Sequence, residues 1–593
     1  MKYNSKDLEL MSGVVQAGAL NALRSARSGH VGIVLGAADI VTVVFANFLR
    51  RGRDRFVLSA GHGSALLYSV LKLAGYDVGD LNTFRKIGGL PGHPEYGIPG
   101  VEATTGPLGQ GVGNATGMAL AEKINKTDSR VYCLCSDGDL MEGVAQEAVA
   151  LAGHLKLGNL VLLWADNGVS IDGDALVDAN VPARMAAAGW DVSCVEGDDF
   201  DALDRALMAA QKSKVPVFIQ CKTVIGRGSS LAGSAKAHGL ALDERELLEL
   251  EQRLGSSDGV ALWSDMAQNQ FASVRGETEN FVPGVSLPQV GKSISTRELS
   301  GIYLNELLKS GVRLIGGSAD LGGSTGVKVA QSKKITATDF SGNYIDFGVR
   351  EHAMGAILNG MAACGLKVFG STFLVFSDYM RPSIRLAALS GLPVIYVLSH
   401  DSVAVGEDGP THQPVEQLPS LRLIPGLNVF RPCNGVEVMY AWRRALGEKK
   451  RPTCIVLSRQ QFRQYSTPLG ARLSCGAYII RAAQSERVRV TLIATGAEVA
   501  LAIEVAEKLG KDVQVVSVVS VSDFRAQSLQ YKNEMLRGLV VAIEAAAAAP
   551  WFEFADAVVG VDRFGMSGAG DAVYNAMGFN VDAIVADIKD KLK

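Results

Sequence analysis

Two kinds of segment alternate along most of this chain. Short β-branched apolar runs, among them Val131–Cys135, Leu160–Trp164, Pro393–Leu398 and Val490–Ala494, predict buried strands. Between them lie amphipathic stretches rich in Ala and Leu, such as Gly143–Leu157, His352–Cys364 and Ala497–Leu509, which predict helices. That alternation implies crossover connections and doubly wound, mostly parallel sheets, an α/β fold. It lapses between about Ser256 and Ser293, where Gly, Ser, Pro, Gln and Asn accumulate, and a linker is expected there. A weaker break spans Gln460–Leu473, so three α/β domains are expected: residues 1–255, 294–460 and 474–593, with 256–293 as the linker. The Ala545–Ala549 run fits a strand end or a turn.

Composition narrows the class. At 593 residues the chain is too long for one core, and its 48% hydrophobic and 20% charged residues are ordinary for a globular protein. A net charge of −3 with no Lys/Arg cluster argues against a nucleic-acid or membrane-surface partner. The eight cysteines form no CxxC pair and sit mostly in apolar runs, so a reduced compartment is expected. The N-terminus carries no apolar signal core, no stretch is read as long and apolar enough to span a bilayer, and a cytoplasmic location is expected.

The most informative segment is Val131–Gly143, in which a predicted strand ends at Ser136-Asp137-Gly138-Asp139. A second predicted strand, Asn159–Ala165, ends in Asp166-Asn167-Gly168-Val169. Asp137 and Asn167 thus both stand at carboxyl ends of strands in one βαβ unit, where open α/β sheets bind ligands. A carboxylate, an amide oxygen and nearby carbonyls are hard oxygen ligands suited to Mg²⁺ or Ca²⁺, and leave positions for phosphate oxygens. Taken alone, Asp-Gly is a common turn signal; the paired Asn167 is what shifts the balance.

Asp-Gly followed by this asparagine resembles the thiamine-diphosphate signature. The resemblance implies metal ligation by Asp137, Asn167 and the Val169 carbonyl, with Gly138 against the diphosphate. Ser136 stands where the family has glycine, which implies strain of about 1–3 kcal/mol if that turn requires positive φ. Gly106-Pro107-Leu108-Gly109-Gln110-Gly111-Val112-Gly113 is a weaker signal that fits neither a P-loop nor a dinucleotide fingerprint. It resembles the segment of transketolases that lies beside the cofactor, which implies cofactor contacts for Gly106, Pro107 and Leu108, and Ile171 is carried over with them.

Only eight histidines occur, and six lie in Gly- or Pro-rich loops: His30, His62, His93, His238, His400 and His412. Loop histidines on a rigid scaffold are candidates for polar chemistry, although each alone is more often a surface or capping residue. None has zinc-motif spacing. All six contexts resemble transketolase, which implies that His62 and His238 contact the cofactor, that His30, His93, His238 and His412 line the substrate channel and carry catalytic roles, and that Val31 replaces a usual proline.

In the second domain a strand runs through Asn343–Phe347 towards a helix starting at Glu351. A glutamate there is ordinarily a favourable N-terminal charge. Phe347–Glu351 resembles the transketolase wording, which implies that Glu351 bonds the cofactor's aminopyrimidine. Phe373, Phe376 and Tyr379 recur every third residue, normally a core stripe on a helix; the resemblance makes them, with Asp320, the pyrimidine pocket. Val405–Gln417 is similar to the family throughout. Arg297, Ser324, His400 and Arg459 match sugar-phosphate contacts, and two guanidinium forks with an imidazole suit a phosphate dianion. Gly323 and Thr325 depart from the family's usual Pro and Asn. Asp408 matches the residue that reads a ketose hydroxyl.

The resemblance to transketolases covers nearly the whole chain, with a curtailed linker and a trimmed loop before Arg53. It implies a thiamine-diphosphate-binding fold of diphosphate and pyrimidine domains plus a transketolase-like C-terminal domain, assembled as a homodimer with active sites at the subunit interface. The implied cofactors are thiamine diphosphate and Mg²⁺, with Ca²⁺ or Mn²⁺ as alternatives. The implied reaction moves a two-carbon ketol unit, through a thiamine-diphosphate carbanion, from a ketose phosphate such as xylulose 5-phosphate to ribose 5-phosphate or erythrose 4-phosphate, in the non-oxidative pentose phosphate pathway. Two rivals stand beside it. A 1-deoxyxylulose-5-phosphate or dihydroxyacetone synthase shares fold and cofactor, while a non-catalytic binding relative would have lost Glu351, Asp137 or Asn167.

Overall fold

The computed structural model describes residues 3–177, 180–240, 242–269 and 293–593. They divide into two compact units: the first holds the described residues of Met1–Thr278 with Thr336–Ser341 and His352–Leu366, the second the remainder.

The first unit is built on a five-stranded sheet, in spatial order Arg55–Leu58, Val131–Ser136, Leu160–Asp166, Val217–Lys222 and Asp191–Glu196. Every pairing in it is parallel. Val131–Ser136 is buried at all six positions, as a central parallel strand covered on both faces must be, which is why it reads as an unbroken apolar run. The helix Gln110–Ile124 presses against residues 352–363 of the helix Glu351–Ala363, and glycine permits the approach. A Cβ on Gly117 would lie 1.9 Å from the Ile357 carbonyl oxygen, and one on Gly360 2.0 Å from that of Asn114.

Two expectations change in this unit. Val31–Phe48, whose last turn widens to a π-helix, is long and apolar enough to span a bilayer by length and composition, with a mean hydropathy of 2.0. The sequence reading expected no such stretch. The window is 83% buried inside the unit, and its one acid, Asp39, is paired with Arg227 and accepts from the Ser12 hydroxyl at 2.5 Å, so the segment packs as a core helix. Second, the stretch expected to begin a linker at Ser256 is a helix, Ser257–Asn269. Trp263 is 1% exposed and donates its indole N–H to the Met11 carbonyl at 3.0 Å, anchoring the helix to the first unit. Two buried apolar anchors one helical turn apart, Trp263 and Met266, sufficed where sequence periodicity had faded. Residues 270–292 of the expected linker lie outside the described residues.

The second unit holds two large sheets. One has six parallel strands in the order Tyr344–Asp346, Ile315–Ser318, Val368–Phe373, Ile395–Ser399, Thr453–Leu457 and Asn428–Phe430. The other runs Tyr478–Arg481, Val513–Ser517, Val490–Ala494, Leu539–Ile543 and Ala557–Val559, antiparallel only at its first pair. The break expected at Gln460–Leu473 contains a short strand, Phe462–Arg463, which pairs antiparallel with Ser293–Ile294.

Candidate active site

In the first unit the polar chemistry collects where strands end. Strand Val131–Ser136 gives way to a one-turn helix, Asp137–Met141, capped by Ser136 and Asp139 in a reciprocal box. Ser136 has φ −111°, an ordinary extended conformation, so the strain expected from replacing glycine does not arise. Asp139 is fully buried and organises the region. Its Oδ1 accepts from the Gly109 N–H at 2.7 Å and the Ser59 hydroxyl at 2.6 Å, and its Oδ2 from the Ser136 N–H at 2.9 Å and hydroxyl at 3.0 Å. One carboxylate thereby ties the glycine-rich segment to the strand end. Sequence reasoning passed over Asp139; the available signal was its cap-box spacing from Ser136.

Asp137 lies beside it, 2% exposed. Its Oδ2 accepts from the Asn167 N–H at 3.4 Å, and the Asn167 side-chain oxygen accepts from the Val169 N–H at 2.9 Å. The turn between them uses Gly168 at φ 66°. Asp137 Oδ1 is buried without a hydrogen bond of normal geometry. Burial, and then the charge of Asp166, push the Asp137 carboxyl up to about 7. A divalent cation supplies the counter-charge such a carboxylate needs, and an amide oxygen and a carbonyl stand ready to share it. The cradle is narrow: a Cβ on Gly138 would meet Leu108 at 2.7 Å, and Gly106, at φ 146°, lies against the His93 ring. These residues fit a metal-bridged diphosphate. Ile171 is exposed in the tip of the hairpin formed by Val169–Ser170 and Gly173–Asp174.

Four loops far apart in sequence bring four imidazoles together. The His30 ring lies 5.4 Å from His62, 6.1 Å from His93 and 5.4 Å from His238, and His62 stacks on His238 at 5.1 Å. Burial lowers all four below the ordinary histidine range. His62 falls to about 3, with His238 and His30 adding to the effect, and His30 to about 4, with Arg85 the next cause. At neutral pH this is a group of uncharged rings that can accept or relay protons.

In the second unit Glu351 is buried at the start of its helix, and its Oε1 accepts from the Thr372 hydroxyl at 3.2 Å. The aromatic triplet does not lie on one helix face: Phe373 ends a strand, Phe376 closes a 3₁₀ turn, and Tyr379 belongs to the helix Ser377–Leu389. The rings still adjoin, Phe373 to Phe376 at 5.9 Å and Phe376 to Tyr379 at 6.2 Å. Phe373 also stacks on His400 at 3.7 Å, and Phe376 meets the edge of His412 at 5.2 Å.

His400 is buried and has φ 62°, a left-handed conformation uncommon outside glycine, though histidine adopts it more readily than most residues. Burial, then the charges of Arg297 and Arg459, lower it to about 3, so both cations are near. Arg297 reaches the Ser324 carbonyl at 2.8 Å and Arg459 the Val405 carbonyl at 3.3 Å. Ser324, Asp408, Asp320 and Tyr379 are exposed, and Asp320 shares the left-handed conformation at φ 64°. Phe373, Phe376, His400, His412, Arg297 and Arg459 are thus gathered in this unit, with Asp320 and Asp408 on separate turns.

Comparison with known proteins agrees along the whole chain. Residues 9–277 match the transketolase thiamine diphosphate binding domain, 292–464 the transketolase pyrimidine binding domain, and 476–580 the transketolase-like C-terminal domain. The chain is 42% identical to the transketolase of Bacillus subtilis (strain 168), covering 96% of this chain and 97% of that protein. The transketolase of Leishmania mexicana superposes with a TM-score of 0.92 at 35% identity, over 100% of this chain and 97% of the other. A Pichia stipitis transketolase solved in complex with sedoheptulose 7-phosphate gives 0.90 at 34% identity, over 98% and 97%. Domain by domain and over its full length, this chain belongs to the transketolase family.

Proposed function

We propose that this enzyme transfers a two-carbon ketol unit from a ketose phosphate such as xylulose 5-phosphate to an aldose phosphate such as ribose 5-phosphate or erythrose 4-phosphate, within the non-oxidative pentose phosphate pathway. It works in the cytoplasm as a homodimer with active sites at the subunit interface, using three domains and Mg²⁺ as the metal. Bound thiamine diphosphate supplies the nucleophilic carbon and the electron sink. Asp137, Asn167 and the Val169 carbonyl hold the metal, while His62, Gly106, Pro107, Leu108, Gly138 and Ile171 enclose the cofactor's diphosphate side. Glu351 holds a proton at the aminopyrimidine ring, which packs among Phe373, Phe376, Tyr379 and Asp320. His30, His93, His238 and His412 orient the sugar and move protons at its oxygens, a task for which uncharged imidazoles are suited. Asp408 reads the hydroxyl configuration of the ketose.

The convergence of Arg297, Arg459 and His400 carries the substrate reading. Thiamine enzymes share a cofactor site, but two guanidiniums beside a buried imidazole select a phosphate dianion. The test is a coupled assay with xylulose 5-phosphate and ribose 5-phosphate, with and without thiamine diphosphate and Mg²⁺. Turnover that requires both is expected. Turnover with pyruvate and glyceraldehyde 3-phosphate in its place would assign the chain to the deoxyxylulose-phosphate rival.

A further inference from the structure

Each of the three groups proposed to grip the sugar phosphate has a sequence neighbour in one buried hydrogen-bond network. Asp401 follows His400, Ser458 precedes Arg459 and Thr296 precedes Arg297. All three neighbours are at most 1% exposed. The Ser458 hydroxyl donates to Asp401 Oδ2 at 2.8 Å, and the Ser458 N–H to Thr296 Oγ1 at 2.9 Å. The Arg297 N–H donates to the Ser458 carbonyl at 3.3 Å. Three separate segments are joined immediately behind their functional side chains.

Asp401 itself is held by Arg431, which directly follows strand Asn428–Phe430 of the six-stranded sheet and is in turn gripped from the C-terminal sheet. Arg431, buried, donates Nε to Asp401 Oδ2 at 2.8 Å, while its Nη1 donates to Thr495 Oγ1 at 2.8 Å and pairs with Glu498. Thr495 follows strand Val490–Ala494, and Glu498 opens the helix Glu498–Leu509. The Thr495 hydroxyl donates in turn to Glu544 at 2.5 Å, and Arg422 grips Glu544 through both terminal nitrogens at 2.8 Å. A buried ion network adds little net stability, because desolvation cancels much of the attraction; what it can impose is a single arrangement of its parts. His400 needs such an imposition. A histidine in the left-handed region persists only where its surroundings hold it there, and the next residue along is the node of this network.

We propose that Asp401 is a positioning residue for substrate phosphate: clamped by Arg431, it holds His400 in its left-handed turn and, through Ser458 and Thr296, aligns Arg459 and Arg297. The C-terminal domain, through Arg431, thereby sets the geometry of the phosphate end without touching substrate. This rests on the reading of Arg297, His400 and Arg459 as the phosphate grip.

The test compares holoenzyme kinetics with ribose 5-phosphate and with glycolaldehyde, an acceptor without phosphate, at saturating donor. Asp401→Asn keeps the shape and removes the charge that Arg431 grips. Ser458→Ala deletes one hydroxyl and serves if Asp401→Asn does not fold. Arg459→Ala runs alongside. The KM for ribose 5-phosphate should rise about tenfold in Asp401→Asn and about threefold in Ser458→Ala, with kcat and glycolaldehyde turnover held within about twofold. If Arg459→Ala is phosphate-selective while both network variants match wild type, the role of Asp401 is overturned and the phosphate grip stands. Equal losses on both acceptors in the network variants also overturn it, assigning the network to stability alone. An Arg459→Ala enzyme with no preference between acceptors would overturn the grip and the inference together.

Discussion

In the first unit four imidazoles face one another at ring separations of 5.1 to 6.1 Å, whereas in the second His400 lies beside two guanidiniums and one residue away from a buried carboxylate. Both arrangements lower histidine basicity, chiefly by burial, and differ in what adds to it. Burial is the first cause in both; the crowded rings of the first unit then add their mutual repulsion, while at His400 the charges of Arg297 and Arg459 add theirs. The supports differ accordingly. Near the neutral cluster, Asp139 ties Ser59, three residues before His62, to the glycine-rich segment whose Gly106 lies against His93, while the cationic group is backed by the ion network of Asp401 and Arg431. Groups that move protons need desolvation, whereas groups that grip charge need their own charges held at fixed positions.

That contrast can be broken at several points. The largest effect should come from Asp137→Ala, which removes the carboxylate proposed to hold the metal. Calorimetric titration of thiamine diphosphate should lose all dependence on Mg²⁺, and tight Mg²⁺-dependent binding by the variant would put the metal elsewhere. Next comes Glu351→Gln, which tests whether the second unit also handles a proton. Hydrogen–deuterium exchange at the reactive carbon of bound cofactor, followed by NMR, should slow by about a hundred- to ten-thousandfold, with the fold unchanged. Wild-type exchange would reduce Glu351 to a helix-capping acid. Arg459→Ala should raise the KM for ribose 5-phosphate by about ten- to a hundredfold and spare glycolaldehyde, since only the charge-assisted contact is lost.

The sequence was most legible where chemistry and backbone signal coincide. Strands such as Val131–Ser136 and Val490–Ala494 were placed within a residue or so, because buried parallel strands are continuous apolar runs. Asp137 and Asn167 could be singled out as candidates because each directly follows such a strand. Helix Ser257–Asn269 was missed, since Trp263 and Met266 make its contacts amid a polar background. The three-residue spacing of Phe373, Phe376 and Tyr379 suggested one helix where a strand, a turn and a helix meet, because ring proximity is a tertiary property. Asp139 and Asp401 were passed over for a related reason. Each lies beside a residue with an obvious part, and only coordinates show that its carboxylate joins segments distant in sequence.

The smallest effect expected is on stability, and it separates the two supports. In the first unit His62 and His30 are lowered to about 3 and about 4, chiefly by burial, while in the unfolded chain both titrate near the ordinary 6.5. Between those values the unfolded state binds more protons at these rings than the folded one, so their contribution to stability must fall as pH drops from about 6.5 towards 4. Above pH 7 both states hold the rings uncharged and the effect vanishes. His62 is surrounded by His30, His93 and His238, so removing one ring should also ease protonation of the others. Without added cofactor, the histidines should pull the thermal midpoint of the wild type down by roughly a few degrees between pH 7 and pH 5, against an opposite pull from Asp137, whose carboxyl is raised to about 7. His62→Asn should weaken the histidines' pull, whereas Glu351→Gln, in the other unit, should leave the slope as in the wild type. A slope unchanged by His62→Asn would mean that the ring is solvated and protonated without penalty, and the contrast between a desolvated cluster and a charge-gripping one would fail on its first side.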